Sequence, residues 1–392
     1  MLWTSLILTK ITFICKIMSH WKFLYDIKCI LSPTCLFLSQ MYQSIIFTCL
    51  LFGSVISSEI QCSSADIFGI DMSQVQTAEQ RVQAVIDFWT DERLKAAKPK
   101  PFIRVDSLFS NKDNKQQPVT IKSTTARSSK KVQSYKYPTT VGKVFFVDNG
   151  LYYQCSASVV TSDNKDLLFT AGHCVYSTTN SKYVQNFIFI PQYTNGVRPY
   201  GTWAARCLSA LSGWTMSNNH DYDVGMVLLN TLNNRHIQDV VGGQGVGFNH
   251  GHTATIYAFG YPTNYYDGQI MTNCTGTEAS AGIPNYAGDS LACNMTNGAS
   301  GGPWFESYDT STLTGVQTSV NSFIMRNRPN YVFGPHFDST IQQLYETVRT
   351  ENATCPPLPS HANNNIFSST ILFTLVCLQY LHVCLMKSKY TT

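Results

Sequence analysis

The middle of this chain is predicted to be all-β, on three observations. Short apolar runs recur at 144–147, 151–160, 187–190, 224–229, 255–259, 315–320 and 331–333. Gly, Asn and Pro separate them, which is the punctuation that strands joined by turns require. The sharpest signal is Asp148-Asn149-Gly150 between two of the runs. Asn-Gly accepts the positive φ angles of a two-residue turn, so these runs are expected to form a hairpin.

Size and charge narrow the class further. The chain has 392 residues and a formal charge of +4, which hides an asymmetry. Between Arg93 and Lys143 there are 13 Lys/Arg against 2 Asp/Glu, whereas residues 144–350 carry 8 against 13. A basic leader therefore precedes an acidic body. The basic run has few aromatics and no recognisable binding fold, so no nucleic-acid partner is expected. Thirteen cysteines without a single Cys-x-x-Cys pair argue for an oxidising compartment and disulfides rather than a reduced cytosolic enzyme or a cysteine metal site.

Taken in order, residues 1–58 read as a signal region. The cleanest signal peptide is 41–58, where an apolar core at Ile45–Val55 ends in Ile56-Ser57-Ser58. The competing reading makes residues 1–40 a signal-anchor extension. Residues 59–140 are expected to be a pro-segment and linker. Thr77-Ala-Glu-Gln80 forms a capping box for a helix running through Val82, Val85, Ile86, Trp89 and Leu94, with Pro99 as its stop. Residues 107–140 lack periodicity and read as linker. Arg127 and Lys130-Lys131 are basic sites where processing would release the body.

The body spans 141–350. Ile341, Leu344, Tyr345 and Val348 mark one face of a helix near its end. A linker at 351–365 leads to 366–386, a stretch free of Asp, Glu, Lys and Arg and long enough to cross a bilayer. It reads as a C-terminal anchor attaching the protein to a membrane, or as a lipid-anchor signal that is removed. A secreted or surface-tethered location follows. The sequons at Asn273, Asn294 and Asn352 suit such a location, with Asn352 the accessible one.

Three motifs carry chemistry. Gly298-Ala299-Ser300-Gly301-Gly302-Pro303 puts a serine on a turn that glycines allow to be sharp. Upstream, Leu167-Leu-Phe-Thr-Ala-Gly-His173-Cys174 ends an apolar strand in an imidazole. Between them, His220-Asp221-Tyr-Asp223-Val-Gly-Met places a carboxylate at the mouth of a buried strand. Over about 142–350 the chain resembles the chymotrypsin-like (trypsin-fold) serine peptidases, whose catalytic residues come in the order His, Asp, Ser. It is closest to their secreted bacterial, fungal and glutamyl-endopeptidase-like branch. Ala299 stands where the digestive branch has an aspartate, so activation by a buried N-terminal ion pair is not expected.

The resemblance implies two six-stranded antiparallel β-barrels facing each other and a C-terminal helix. His173 and Asp223 would lie in the first barrel, Ser300 in the second. It implies a serine endopeptidase acting on proteins or peptides through an acyl-enzyme, with His173 as general base, Asp223 as its orienter and Ser300 as nucleophile. The N–H groups of Gly298 and Ser300 would form the oxyanion hole. Asp221 is the rival orienter, but the motif selects Asp223. Asn294, Thr318 and Ser319 are the expected substrate-pocket residues. Bridges Cys155–Cys174 and Cys274–Cys293 would fix the base and one pocket wall, leaving Cys62, Cys207 and Cys355 unassigned. No cofactor is expected. His250-Gly-His252 suggests a metal, but the spacing supplies no third ligand, so no metal site is assigned. The alternative function is a non-catalytic binding protein on the same fold.

Overall fold

The computed structural model describes residues 60–75, 77–101, 103–105, 118–124 and 137–351. The expected signal region up to Ser58, Arg127, Lys130 and Lys131, and the segments from 352 onward all lie outside the described residues, including 366–386 and Asn352. Among the described residues no helix is long and apolar enough to cross a membrane.

The N-terminal segment begins as its capping residues dictate. Helix α1, Ala78–Phe88, starts at Thr77, whose hydroxyl accepts from the Gln80 N–H while the Gln80 side chain accepts from the Thr77 N–H. The single helix expected to run on towards Pro99 is instead two. Trp89 leaves α1 to bury its indole, donating from Nε1 to the Asn186 carbonyl at 2.7 Å. Thr90 then caps α2, Asp91–Ala96. Phe88, Trp89, Leu94 and Ala97 join a core cluster with Phe145, Val147 and Ile188. Truncating a buried Trp of this kind costs about 3–5 kcal/mol, so the segment is anchored rather than draped.

The first half of the body is a closed barrel. Its strands are β1 (Val141–Asp148), β2 (Leu151–Val159), β3 (Leu167–Thr170), β4 (Gln185–Pro191), β5 (Trp203–Leu211) and β6 (Gly225–Leu229). The antiparallel pairs β1–β2, β2–β3, β3–β6, β6–β5, β5–β4 and β4–β1 return the sheet to its start. Asn149 and Gly150 turn β1 into β2 at φ 50° and 75°, the left-handed angles that this dipeptide accommodates. Every residue of β1 is buried.

In the second half the described residues do not show the expected second closed barrel. Its strands are β7 (Gly245–Phe248), β8 (Thr255–Gly260), β9 (Thr272–Thr277), β10 (Asp289–Ala292), β11 (Pro303–Asp309), β12 (Thr314–Val320), β13 (Phe323–Met325) and β14 (Arg328–Gly334). Among the described residues they form two separate sheets, one ordered β9-β8-β11-β12-β7 and one built on β10-β14-β13. The chain passes from one sheet to the other at Asn321-Ser322, between β12 and β13. Register shifts occur within the β11–β12 and β13–β14 pairs.

Parts of the expected pro-segment and linker pair with the body. Val119–Ile121 is a strand against β7, and Ile103–Val105 pairs with β13. Helix α3, Ser339–Val348, starts where Asp338 caps it and buries Ile341, Leu344, Tyr345 and Val348, the face that the sequence marks. This face packs with Phe169 and Phe248.

Candidate active site

His173 sits just past the end of β3, in a single turn of 3-10 helix at Gly172–Cys174. The Cys155–Cys174 disulfide ties that turn to β2. A Cβ on Gly172 would stand 2.9 Å from the Trp214 ring and 3.0 Å from Asp223 Oδ1, so glycine lets this turn approach Asp223. Asp223 is fully buried and lies two residues before β6. Its Oδ1 accepts the His173 backbone N–H at 2.8 Å, and its Oδ2 faces His173 Nδ1 at 2.8 Å. The Ser322 hydroxyl donates to Oδ2 at 2.5 Å. Burial pushes the Asp223 carboxyl up, but His173 and Ser322 outweigh it and hold it below its ordinary value.

Asp221, the rival orienter, points elsewhere. Its Oδ1 accepts the Ala287 N–H at 2.8 Å, and burial raises its carboxyl to about 6.

Ser300 is fully buried on the turn between Cys293 and β11. Gly298 and Gly301 take φ of 96° and 78°, and Cβ atoms there would lie 2.5 Å from the Tyr261 carbonyl and 2.1 Å from Thr170 Oγ1. Only glycine fits either position. Ser156 on β2 clamps the turn to the first barrel. Its N–H donates to the Ser300 carbonyl at 2.7 Å, and its hydroxyl donates to the Gly298 carbonyl at 2.9 Å. Neither the Gly298 N–H nor the Ser300 N–H enters a backbone hydrogen bond among the described residues. Ser300 Oγ and His173 Nε2 are both buried without a hydrogen-bond partner. Ala299 is buried in an apolar cluster with Leu291 and Trp304, which leaves no place for the charge found there in the digestive branch.

The remaining expected residues are distributed differently. Asn294 is exposed, with its Oδ1 accepting from the Tyr265 hydroxyl at 2.7 Å. Asn273 is exposed too, so both sequons expected to be inaccessible are at the surface. The Ser319 hydroxyl donates to the Pro335 carbonyl. Thr318 lines a cavity with His250, Glu278, Asp289 and His336, away from the cleft that His173 lines with Tyr176 and Trp214. Cys274–Cys293 is bridged, and Cys207 is disulfide-bonded as well. Ser156 and Ser322 are site residues that sequence reading missed. Neither sits in a motif, and only the fold brings them to the turn and the carboxylate.

In three dimensions His252 meets two possible co-ligands that spacing alone does not supply. His252, Asp289 and His336 lie with ligand atoms within 4.8 Å of one another. His252 Nδ1 is 2.5 Å from Asp289 Oδ1 and His336 Nδ1 is 3.3 Å from Oδ2. The other such group, Cys155, His173 and Cys174, has both sulfurs committed to a disulfide.

No family model matches the chain. Among solved structures, the protease Anisep from Arthrobacter nicotinovorans is 38% identical with a TM-score of 0.52, covering 56% of this chain and 99% of that one. The thermostable serine protease AL20 from an extremophilic microorganism is 34% identical with a TM-score of 0.51, covering 55% of this chain and 98% of that one. The Extracellular metalloprotease of Bacillus subtilis (strain 168) is 32% identical over 97 residues, 25% of this chain. That match spans 27% of the curated relative's length. Two proteases matched along nearly their whole length, AL20 a serine protease by name, fix the class, a serine hydrolase that cuts peptide bonds. More narrowly, the chain belongs to the chymotrypsin-like (trypsin-fold) serine endopeptidases.

Proposed function

We propose that the body hydrolyses peptide bonds of proteins through a Ser300–His173–Asp223 triad and an acyl-enzyme intermediate. The observation that carries this reading is the fully buried Asp223, which holds both the backbone N–H and Nδ1 of His173. With Nδ1–H donated to that carboxylate, the free lone pair is on Nε2, the atom left buried and unpartnered. Ser300 Oγ, equally unpartnered, gives its proton to Nε2 as it attacks the substrate carbonyl carbon. The Oγ–C bond forms while the carbonyl π pair moves onto oxygen. Hydrogen bonds of this kind tighten when substrate arrives, so a free Oγ is the expected resting state.

The oxyanion then accepts from the Gly298 and Ser300 N–H groups, each contributing about 3 kcal/mol in comparable sites. His173 donates its proton to the leaving amine as the C–N bond breaks, and water hydrolyses the ester by the same steps in reverse roles. Asp223 stays ionised and stabilises the imidazolium.

The basic N-terminal segment acts as a pro-segment on the acidic body, and processing falls in the stretch between it and Val141. A secreted, extracellular enzyme suits the disulfides, and the Bacillus relative is extracellular by name. A fluorophosphonate probe tests the core of this reading. The tagged peptide should contain Ser300 and vanish in Ser300→Ala. A folded protein that takes up no probe at neutral pH contradicts it.

A further inference from the structure

The N-terminal segment does more than dock on the barrel. After α2 it runs as a short strand, Lys98–Pro99, paired parallel with Tyr153 and Gln154 of β2, and the Lys100 N–H donates to the Gln154 carbonyl at 2.9 Å. This path crosses the site. Pro99 Cβ lies 3.5 Å from where a Cβ on Gly298 would stand, and Lys100 and Pro101 line the same cleft as His173 and Trp214. The exposed edge of β2 is therefore filled by an extended peptide of the chain's own making, in the manner of strand addition.

The Lys100 side chain enters a built slot. Its ammonium donates to Asp148 Oδ2 at 2.6 Å and lies 4.5 Å from the centre of the Tyr153 ring. Asp148 is only 8% exposed, and its other oxygen accepts from Asn180 Nδ2 at 2.9 Å. Asn180 Nδ2 is also 3.1 Å from Ser177 Oγ. Three kinds of group thus converge on one cation: a shielded carboxylate, an amide that fixes that carboxylate, and an aromatic face. With Oδ1 committed to Asn180, one oxygen faces the ligand. A single-point ammonium suits this better than a guanidinium fork, which wants two oxygens.

Resting on the peptidase reading above, we propose that Asp148, Asn180 and Tyr153 form a substrate subsite selective for a lysine side chain, which Lys100 occupies while the segment blocks the cleft. When the segment leaves, Asp148 loses its counter-charge in a shielded place and takes the lysine of an extended peptide laid along β2. Selectivity and self-inhibition then share one contact.

The test uses the full chain with Lys100→Ala, which empties the slot, and Lys100→Ala/Asp148→Asn, which disarms it. Lys100→Ala should react with a fluorophosphonate several-fold faster than the parent. In a peptide library it should favour lysine over norleucine by about tenfold at one fixed position from the cut, and the double variant should lose that preference. Tyr153→Leu in the Lys100→Ala background, which leaves the carboxylate in place, should weaken the preference several-fold and serves if the Asp148 variant does not fold. Ser300 labelling without lysine enrichment in Lys100→Ala, or equal enrichment with and without the Asp148 carboxylate, overturns the subsite alone. Absence of Ser300 labelling in every folded variant overturns the peptidase reading and the subsite with it.

Discussion

Two of the histidine–aspartate contacts among the described residues, the one at Asp223 and the one at Asp289, have different properties. At the first, Asp223 is fully buried and takes three hydrogen bonds, two from His173 and one from Ser322, while His173 Nε2 is buried without a hydrogen-bond partner. At the second, Asp289 is shared by His252 and His336, whose side chains are 40% and 19% exposed. Donation of a hydrogen bond to Asp289, against the opposing effect of burial, raises the His252 pKa above its ordinary value. A carboxylate beside an imidazole is thus not enough to make a base. Orientation from several donors and a serine on a glycine turn distinguish the first site, whereas at the second a buried Asp289 is shared by two partly exposed histidines with no such serine described beside them.

The largest expected effect separates the two sites directly. Ser300→Ala and Asp223→Asn should each lower kcat/KM for peptide hydrolysis by about 10^4-fold, and Asp289→Asn by no more than about twofold. Comparable losses at Asp223 and Asp289 would break the distinction. Next comes the turn itself. Gly298→Ala would push a methyl group toward the Tyr261 carbonyl and disturb the oxyanion donors, so kcat should fall about 10^2-fold or more with the triad intact.

A smaller loss, about tenfold in kcat/KM, is expected for Ser322→Ala, because Asp223 keeps both bonds from His173. If Ser322 positions Asp223 in the proposed triad, its removal should also move the acid limb of the pH–rate profile. A change in KM alone would argue against that role.

The smallest effect concerns the second cluster. Because the folded pKa of His252 is raised by Asp289, the stability this pair contributes is complete below the unfolded value of about 6.5 and is lost as pH rises through the folded one. The melting temperature of His252→Gln should therefore lag the parent at pH 5.5 and converge with it at pH 8.5. A gap that widens with pH would contradict the assignment.

Much of the first site was legible because each of its three groups ends or begins a recognisable local pattern. His173 follows an apolar strand, Asp223 precedes one, and Ser300 is flanked by glycines whose conformations no other residue tolerates. The hairpin at Asn149-Gly150 was equally local. What failed was long-range. Ser156 and Ser322 carry no neighbouring signal and matter only because β2 and the β12–β13 crossing pass the site. The His252, Asp289 and His336 cluster joins residues from three parts of the chain, so spacing could not supply its third member. Trp89 broke a helix whose periodicity was continuous because burying an indole outweighed one more helical turn. Thr318 and Ser319 were legible only as residues of a strand, whereas their surroundings, the Pro335 carbonyl for the Ser319 hydroxyl and His250, Asp289 and His336 around Thr318, come from other parts of the chain.

The most direct measurement compares peptide hydrolysis by the parent, Ser300→Ala and the His252→Ala/His336→Ala pair, each with and without a strong metal chelator. If Ser300 carries the chemistry, only Ser300→Ala is inactive, and the chelator leaves the initial rate of the parent within about twofold. Residual full activity in Ser300→Ala, or activity that the chelator and the histidine pair both abolish, would contradict the account.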